Sequence, residues 1–164
     1  MNRRDKINYY LDIAETVLKR STCIRRKFGA IVVKNDEIIS TGYNGAPRGR
    51  KNCSDLDYCQ REKLGVPRGE RYELCRSVHA EANAIISASR ADLLGSTLYL
   101  TGHDAKTDAL EGAAEPCAMC KRLILNAGIE RVVIRITSDE YREIDVASWV
   151  DTDDSLAEEI RTGY

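Results

Sequence analysis

The chain has no long apolar run, no excess of basic residues and few aromatic side chains, and each shortage excludes a class of protein. Its purely apolar stretches are a few residues long, whereas a membrane-spanning helix needs about 20, so we expect no membrane association. The net charge is −1 and the pI is about 6.2, unlike the basic domains of nucleic-acid binders. One Trp, one Phe and eight Tyr also offer little surface for base stacking. These shortages favour a small-molecule partner over a nucleic acid.

The N-terminal residues and the cysteine content indicate the cytoplasm. Residues 1–6 read Met-Asn-Arg-Arg-Asp-Lys, and no apolar segment of a secretory signal follows them. In a reducing compartment the six cysteines are expected to be thiols or metal ligands rather than disulfides. A chain of 164 residues can bury one sizeable core and has little room for two. We therefore expect residues 1–164 to form a single domain.

Hydrophobic periodicity predicts alternating helices and strands. The predicted helices repeat apolar residues every three or four positions: 5–20, 78–90 and 117–126. The predicted strands are short apolar or alternating runs: 29–33, a run from Ile38, 98–100 and 131–136. The Asn35-Asp36 turn should join the first two strands as a hairpin. For the tail we expect a strand around 146–150 and a helix capped by Asp154 or Ser155. This order suggests a three-layer α/β domain with one mixed sheet.

Two stretches are predicted to be irregular. Residues 42–49 hold three glycines and Pro47, so we expect a loop whose backbone can approach a ligand closely. Residues 50–76 are polar and hold three cysteines. Their composition would not fold unaided, so either something orders this segment or it stays mobile.

One triplet and one later pair carry the chemistry: His79-Ala80-Glu81 and Pro116-Cys117-Ala118-Met119-Cys120. Zinc prefers nitrogen and sulfur ligands in a tetrahedron, and a catalytic site keeps one position for water. His79, Cys117 and Cys120 supply three ligands. The two cysteines begin a helix three residues apart, so they face one way and the helix dipole favours their thiolates. Glu81 should diverge from His79 and lean over the open coordination position, where a carboxylate can take and give protons.

Each half of this pattern has simpler interpretations when it stands alone. His-x-Glu is most often a solvated helix start, and Cys-x-x-Cys also fits a redox pair, a structural zinc or two buried thiols. The combination is more specific, because each half opens a helix. A non-catalytic zinc module that binds RNA or a protein is the competing class. Glu81 separates the two, since a structural site has no use for a carboxylate over an open zinc position.

The chain resembles the deoxycytidylate (dCMP) deaminase family, within the cytidine deaminase-like fold, from Ser21 to about Tyr141. Besides the zinc motifs, the resemblance rests on four segments: 27–33, 40–49, 79–85 and 123–133. The Gly-Tyr-Asn-Gly loop with Pro47 is typical of enzymes for dCMP rather than for free cytidine or tRNA adenosine. The resemblance implies a three-layer α/β/α sandwich with a central mixed β-sheet, a zinc cofactor, and hydrolysis of dCMP to dUMP and ammonia, which supplies thymidylate synthesis. Another nucleotide, nucleoside or base, including a purine, is the alternative substrate.

The resemblance also implies substrate contacts, effectors and assembly. The asparagine that matches Asn44 contacts the substrate sugar, although Asn-Gly alone favours a turn. A phosphate needs a cation or a helix N-terminus, and the candidate cations are Arg25, Arg26, Lys27, Arg48 and Arg90. We favour Arg26, together with Tyr141 after the last clear strand. Members of the fold family form homo-oligomers, often hexamers, and some respond to dCTP and dTTP.

The remaining four cysteines suit a second, structural zinc: Cys23, Cys53, Cys59 and Cys75. Some relatives carry such an ion in the corresponding insertion, here at about 50–77, and Thr22-Cys23 matches their pattern. A structural zinc would order this insertion. The spacing Cys53-x5-Cys59 is wider than that of a zinc knuckle, so buried reduced thiols or an unusual disulfide are the alternatives.

The sequence departs from the family at about 102–115, a segment that relatives usually reduce to a few residues. Because this inserted loop borders the active site, we expect it to form a lid or to reshape the base pocket. His103 lies within it. A histidine here could bind a metal, but we expect a solvent-exposed loop residue.

Overall fold

The computed structural model describes residues 2–112 and 114–152. Its helices are α1 (Lys6–Leu18), α2 (Cys53–Leu56), α3 (Gln60–Lys63), α4 (Ala80–Ile86), α5 (Arg90–Leu93), α6 (Ala118–Ala127) and α7 (Ser148–Asp151), with a 3-10 turn at Tyr72–Leu74. Its strands are β1 (Arg26–Lys34), β2 (Glu37–Tyr43), β3 (Thr97–Asp104), β4 (Arg131–Arg135) and β5 (Tyr141–Asp145). Within these ranges no helix has the length and apolarity needed to cross a bilayer.

The strands form one mixed sheet in the order β2-β1-β3-β4-β5. β3 and β4 run parallel, with Leu98 beside Val132, because α6 provides the crossover between them. The other neighbours are antiparallel. The predicted hairpin of β1 and β2 is confirmed. Asn35 and Asp36 both have left-handed backbones, with φ of 51° and 63°, as the tightest hairpin turns require.

Helices cover both faces of the sheet, which confirms the three-layer prediction. On one face α4 and α6 pack on a shared core: Phe28, Ala30, Val32, Leu98, Leu100, Ala84 and Ile124. On the other face α1 packs on the alternate strand residues: Ile31, Val33, Tyr99 and Val133. Each fully buried large side chain contributes about 1.5–3 kcal/mol. This packing fixes where the N-termini of α4 and α6 lie.

Glycines allow the helices to approach the sheet this closely. A Cβ atom on Gly42 would overlap the carbonyl oxygen of Ala80 and the amide nitrogen of Ala84 in α4. One on Gly29 would overlap the carbonyl oxygen of Ala14 in α1. Gly42 and Tyr43 lie in β2, so the predicted loop at 42–49 begins two residues later than expected.

The helix predicted over 78–90 is shorter than expected and buries a different face. α4 ends at Ile86, and a separate helix, α5, starts after the N-cap Ser89. Ile86, which the periodicity placed on the apolar face, is 75% exposed, whereas Glu81 is fully buried. The apolar period was misleading because the fully buried residues of α4 are Glu81 and two alanines, Ala80 and Ala84.

The tail also differs from the prediction. The last strand is β5 at Tyr141–Asp145, and the residues predicted as a strand at 146–150 instead lead into α7. Asp145 accepts a hydrogen bond from the backbone of Ala147, which turns the chain at that point. The helix predicted from Asp154 or Ser155 lies outside the described residues.

The two insertions are more ordered than their composition predicts. In the 102–115 segment, β3 continues to Asp104, the chain turns, and an isolated bridge pairs His103 with Leu110. The 50–77 segment forms α2, α3 and the 3-10 turn. Arg61 connects its parts, since its guanidinium donates to the carbonyl oxygens of Pro67 at 2.9 Å and of Glu70 at 3.0 Å.

Candidate metal centre and substrate pocket

The N-termini of α4 and α6 meet above one face of the sheet. His79 is the N-cap residue of α4, and Cys117 is the N-cap residue of α6, with Cys120 in its first turn. Both caps have extended backbones, as N-cap residues usually do. Unpaired backbone N–H groups and the helix dipoles favour negative charge at this point.

The three side chains have the spacing of a tetrahedral metal site. Among the described residues, His79, Cys117 and Cys120 form the one group of at least three possible ligands whose ligand atoms all lie within 4.8 Å of one another. The His79 Nδ1 atom is 3.5 Å from each Sγ atom. Zinc bonds of about 2.0–2.1 Å to nitrogen and about 2.3 Å to sulfur place tetrahedral N and S ligands about 3.6 Å apart. The residues therefore fit a zinc ion bound through Nδ1 of His79.

The charges of the three groups are strongly coupled. A hydrogen bond with Cys120, and a further one with His79, lowers the pKa of Cys117 to about 4. Burial lowers the pKa of His79, but hydrogen bonds to Cys117 and Cys75 outweigh it and raise that pKa to about 10. The Cys117 thiolate and burial raise the pKa of Cys120. The cluster thus holds a thiolate and protons that a divalent cation can displace.

Glu81 lies beside the cluster and is fully buried. Its carboxylate interacts with the thiol of Cys120 and raises the pKa of His79. Burying a charged carboxylate costs about several kcal/mol of folding free energy unless its surroundings compensate. A carboxylate kept at such a position can exchange protons with whatever binds at the cluster.

A cavity of about 60 Å³ opens beside His79. Tyr72 lines it and meets the His79 ring edge-on, with 5.1 Å between ring centroids. Four arginines also line it: Arg25, Arg26, Arg61 and Arg68. Sequence reasoning missed Arg61, Arg68 and Tyr72. The run Pro67-Arg68-Gly69 signals a turn, but that signal does not show that the turn lies beside the cavity.

Asn44 is buried at the cavity and joins the loop after β2 to the start of β1. Its Oδ1 atom accepts hydrogen bonds from the backbone N–H of Phe28 at 2.8 Å and from the Ser21 hydroxyl at 2.5 Å. Its Nδ2 atom donates to the carbonyl oxygen of Arg26 at 2.8 Å. These three hydrogen bonds hold Asn44 in place. Its amide nitrogen carries two hydrogens, so Nδ2 has a second one to offer besides the bond to Arg26.

Besides Asn44, two residues were predicted to contact the substrate, and the structure brings one of them to the cavity. Arg26 lines it, with 18% of its side chain exposed. Tyr141 begins β5 opposite Arg135. Directly paired residues share a face, and Arg135 binds Asp12 of α1, so Tyr141 lies on the α1 face, away from the cluster.

The exposed position expected for His103 is wrong. This residue is 9% exposed, because β3 extends through it and α1 packs against it. Its Nε2 atom lies 2.7 Å from a Glu15 oxygen, and its Nδ1 atom lies 3.1 Å from an Asp108 oxygen. His103 belongs to this network rather than to the cluster.

The other four cysteines are free thiols: Cys23, Cys53, Cys59 and Cys75. Burial raises the pKa of Cys53, and the nearby Cys23, Cys75 and Cys59 raise it further, so the four sulfurs lie close together. Backbone N–H groups donate to the sulfur of Cys23 at 3.5 Å and to the sulfur of Cys75 at 3.4 Å. In the described residues these sulfurs do not reach the mutual 4.8 Å spacing that the His79 cluster has.

Comparison with known proteins gives concordant matches. The family described as the cytidine and deoxycytidylate deaminase zinc-binding region matches residues 4–136. Deoxycytidylate deaminase of Mycobacterium phage D29 is 44% identical over 138 residues, covering 81% of this chain and 96% of that protein. The enzyme of Enterobacteria phage T4 is 31% identical, covering 84% and 81%. The crystal structure of dCMP deaminase from cyanophage S-TIM5 in complex with dCMP and dUMP superposes with a TM-score of 0.55 at 29% identity, covering 81% of this chain and 83% of that one.

Proposed function

Because the chain belongs to the cytidine and deoxycytidylate deaminase family, we propose that it hydrolyses dCMP to dUMP and ammonia. The observation that carries this proposal is the cluster itself. Three side chains that could bind zinc lie at tetrahedral spacing, as the three protein ligands of a catalytic zinc site would, and the buried carboxylate of Glu81 stands beside them. A non-catalytic zinc module would gain nothing from that carboxylate.

In this proposal His79, Cys117 and Cys120 would hold the catalytic zinc. When bound, the ion would supply the Lewis acidity that makes water a nucleophile near neutral pH. Glu81 takes a proton from the attacking water and gives it to ring nitrogen 3 of cytosine, while carbon 4 gains the oxygen. Glu81 then transfers the second proton to the departing ammonia. Water and dCMP are thereby converted to dUMP and ammonia, with no net change at Glu81.

The cavity supports nucleotide contacts by Asn44 and Arg26. The fixed amide of Asn44 suits a sugar hydroxyl, and the guanidinium of Arg26 suits a phosphate. The predicted contact of Tyr141 with the substrate finds no support within one chain, since this residue lies on the α1 face. dCMP is favoured over another nucleotide or a free base because named relatives act on it.

We further propose that Cys23, Cys53, Cys59 and Cys75 bind a structural zinc that orders the insertion at 50–77. Four free thiols whose charges interact support this proposal, and so do the N–H donors to Cys23 and Cys75. A tetrahedral site with four cysteine ligands needs sulfurs about 3.8 Å apart, so the ion would draw the thiols closer together.

Assembly, regulation, domain organisation and location are also part of the proposal. Large apolar side chains are exposed on α4 and α6, namely Ile86 and Leu123, which supports a homo-oligomer, with a hexamer suggested by the family resemblance. That resemblance also supports dCTP and dTTP as effectors. One core on each face of a single sheet supports one domain over 1–164. The free cysteines support the cytoplasm.

The test is ammonia release by the zinc-loaded protein. We would compare dCMP, dCTP, deoxycytidine, cytidine and guanine at equal concentrations, each with and without added dCTP as effector. Fast turnover of dCMP alone supports the proposal. Turnover of another compound would leave the proposed chemistry standing and change the substrate. If no compound releases ammonia although zinc is bound, the non-catalytic zinc module is favoured.

A further inference from the structure

The four arginines around the cavity differ in their other contacts. Arg25 forms an ion pair with Glu62 at 2.9 Å. Arg61 donates to backbone carbonyl oxygens and stacks over Tyr72, with its guanidinium carbon 4.3 Å from the ring centroid. In the described part of the chain, these two guanidinium groups are committed to protein partners. Within the described residues, the guanidinium groups of Arg26 and Arg68 make fewer contacts of this kind.

Arg26 and Arg68 both line the cavity, and their charges repel each other. Burial lowers the pKa of Arg26, and repulsion by Arg68 lowers it further. A carboxylate oxygen of Glu111 lies 3.7 Å from Nε of Arg26, which is too long for a strong hydrogen bond. Two like charges in a partly buried position are costly unless an anion joins them.

A fixed turn presents Arg68 to the cavity. The amide of Glu70 donates to the carbonyl oxygen of Pro67 at 3.3 Å, and Gly69 has a φ of 82°. This pattern places Arg68 at the second position of a β-turn that needs glycine at the third. Because Arg61 binds the carbonyl oxygens of both Pro67 and Glu70, the turn cannot swing freely away from the cavity.

Resting on the proposed function, we propose that Arg68 and Arg26 together bind the 5′-phosphate of the nucleotide, and that Arg68 sets the preference for a nucleotide over a nucleoside. Guanidinium groups bind phosphate through paired hydrogen bonds. Two of them from different segments can contact a dianion from two sides. The 50–77 insertion would then supply a specificity residue to a site that is otherwise built by the sheet and its helices.

The test measures steady-state kinetics with dCMP and with deoxycytidine, which lacks the phosphate. Arg68→Ala should raise KM for dCMP by about 10- to 100-fold, as expected for loss of hydrogen bonds to a charged group, with little change in kcat. Its kcat/KM for deoxycytidine should stay within about twofold of wild type. Arg68→Lys keeps the charge, so its KM for dCMP should lie between those of wild type and Arg68→Ala.

Arg71→Ala is the matched control, because it removes one positive charge from the same segment. The Arg71 side chain is 61% exposed and pairs with Glu73, outside the residues that line the cavity. We expect its KM for dCMP to match wild type. A rise as large as that of Arg68→Ala would mean that general charge, rather than a specific contact, attracts the substrate, and would overturn the inference.

Further outcomes separate this inference from the proposed function. An unchanged KM for dCMP in Arg68→Ala, with active wild-type enzyme, overturns the phosphate role and leaves dCMP deamination standing. Equal losses for dCMP and deoxycytidine, or a loss of bound zinc, would make Arg68 structural. If wild type fails on dCMP, calorimetry with inorganic phosphate still decides: binding to wild type that Arg68→Ala abolishes supports the anion site, and equal or absent binding overturns it.

Discussion

The His79 cluster and the thiol-rich 50–77 segment both carry metal-ligand side chains, but they are built in opposite ways. The cluster stands on the ends of two helices that pack against a sheet core, and its ligand atoms already have tetrahedral spacing. The segment consists of short helices and turns, and its cysteine sulfurs are near one another without that spacing.

This difference indicates what each metal would do. Where packing places the ligands, an ion adds chemistry to a site that the fold has already formed. Where the core is too small to order a segment, the ion contributes folding free energy. The first site should therefore lose activity without its metal, and the second should lose structure.

The largest expected effect is the pH dependence of zinc binding to the preformed His79 cluster. At pH 7 the metal-free cluster holds a proton on His79, whose pKa is raised to about 10 despite burial. Cys120 is also protonated, because the Cys117 thiolate and burial raise its pKa. Cys117, with a pKa of about 4, is already a thiolate. Zinc must displace about two protons, so its affinity should rise roughly 100-fold per pH unit between about pH 5 and 9.

Calorimetry of zinc binding in buffers of different ionisation enthalpy measures this release. A Cys53→Ser variant separates the two sites, because it leaves the cluster intact. An observed heat that is independent of the buffer would contradict the charge state described here.

Cys53→Ser tests the zinc site proposed for the 50–77 segment. Cys53 is buried among the other three thiols, so its loss should lower the zinc content from two ions per chain to one. Amide hydrogen exchange should accelerate in residues 50–77 and stay slow in the sheet, because the strands are hydrogen-bonded to one another. Ser54→Ala, an exposed neighbour, is the control. Unchanged zinc stoichiometry in Cys53→Ser would refute the structural zinc.

Gly42→Ala should give the smallest effect and tests whether packing alone preforms the cluster. The added Cβ atom would overlap backbone atoms of Ala80 and Ala84 in α4, and overpacking of this kind costs about 1–3 kcal/mol. Because α4 carries His79, zinc affinity should fall together with the melting temperature.

Gly49→Ala serves as a control for the loss of a glycine. Its Cβ atom would meet open space, although a φ of 85° opposes alanine, at a cost of about 1 kcal/mol. We expect its zinc affinity to equal that of wild type. Equal weakening by both variants would mean that the position of α4 does not control the cluster.

Much of the fold could be predicted because its core elements follow simple periods. α1 repeats apolar residues at helical spacing, β1 is an apolar run, and α6 lies between Pro116 and the left-handed Gly128. α4 was predicted in the right place but with the wrong length and face. Its buried side carries Glu81 and alanines, so hydrophobicity gave no guide there.

The metal ligands were predictable because their motifs are local, whereas the cavity was not. Spacing within each motif, and the helix start that each motif signals, predicted that His79, Cys117 and Cys120 would face one another. Arg68 reaches the cavity on a turn that Arg61 holds in place, and the local turn signal does not show where that turn lies. Likewise, the burial of His103 depends on Glu15 in α1, 88 residues away in sequence. Pairings of this length have no signal in local patterns.

The measurement that tests the central claim most directly is zinc content and ammonia release from dCMP in the same preparation of Glu81→Gln. This substitution keeps the shape of the buried side chain and removes its ability to carry protons. We expect wild-type zinc content and melting behaviour, with kcat lowered by about 10²- to 10⁴-fold. Turnover close to that of wild type, with zinc bound, would show that Glu81 is not the proton shuttle and would contradict the proposed mechanism.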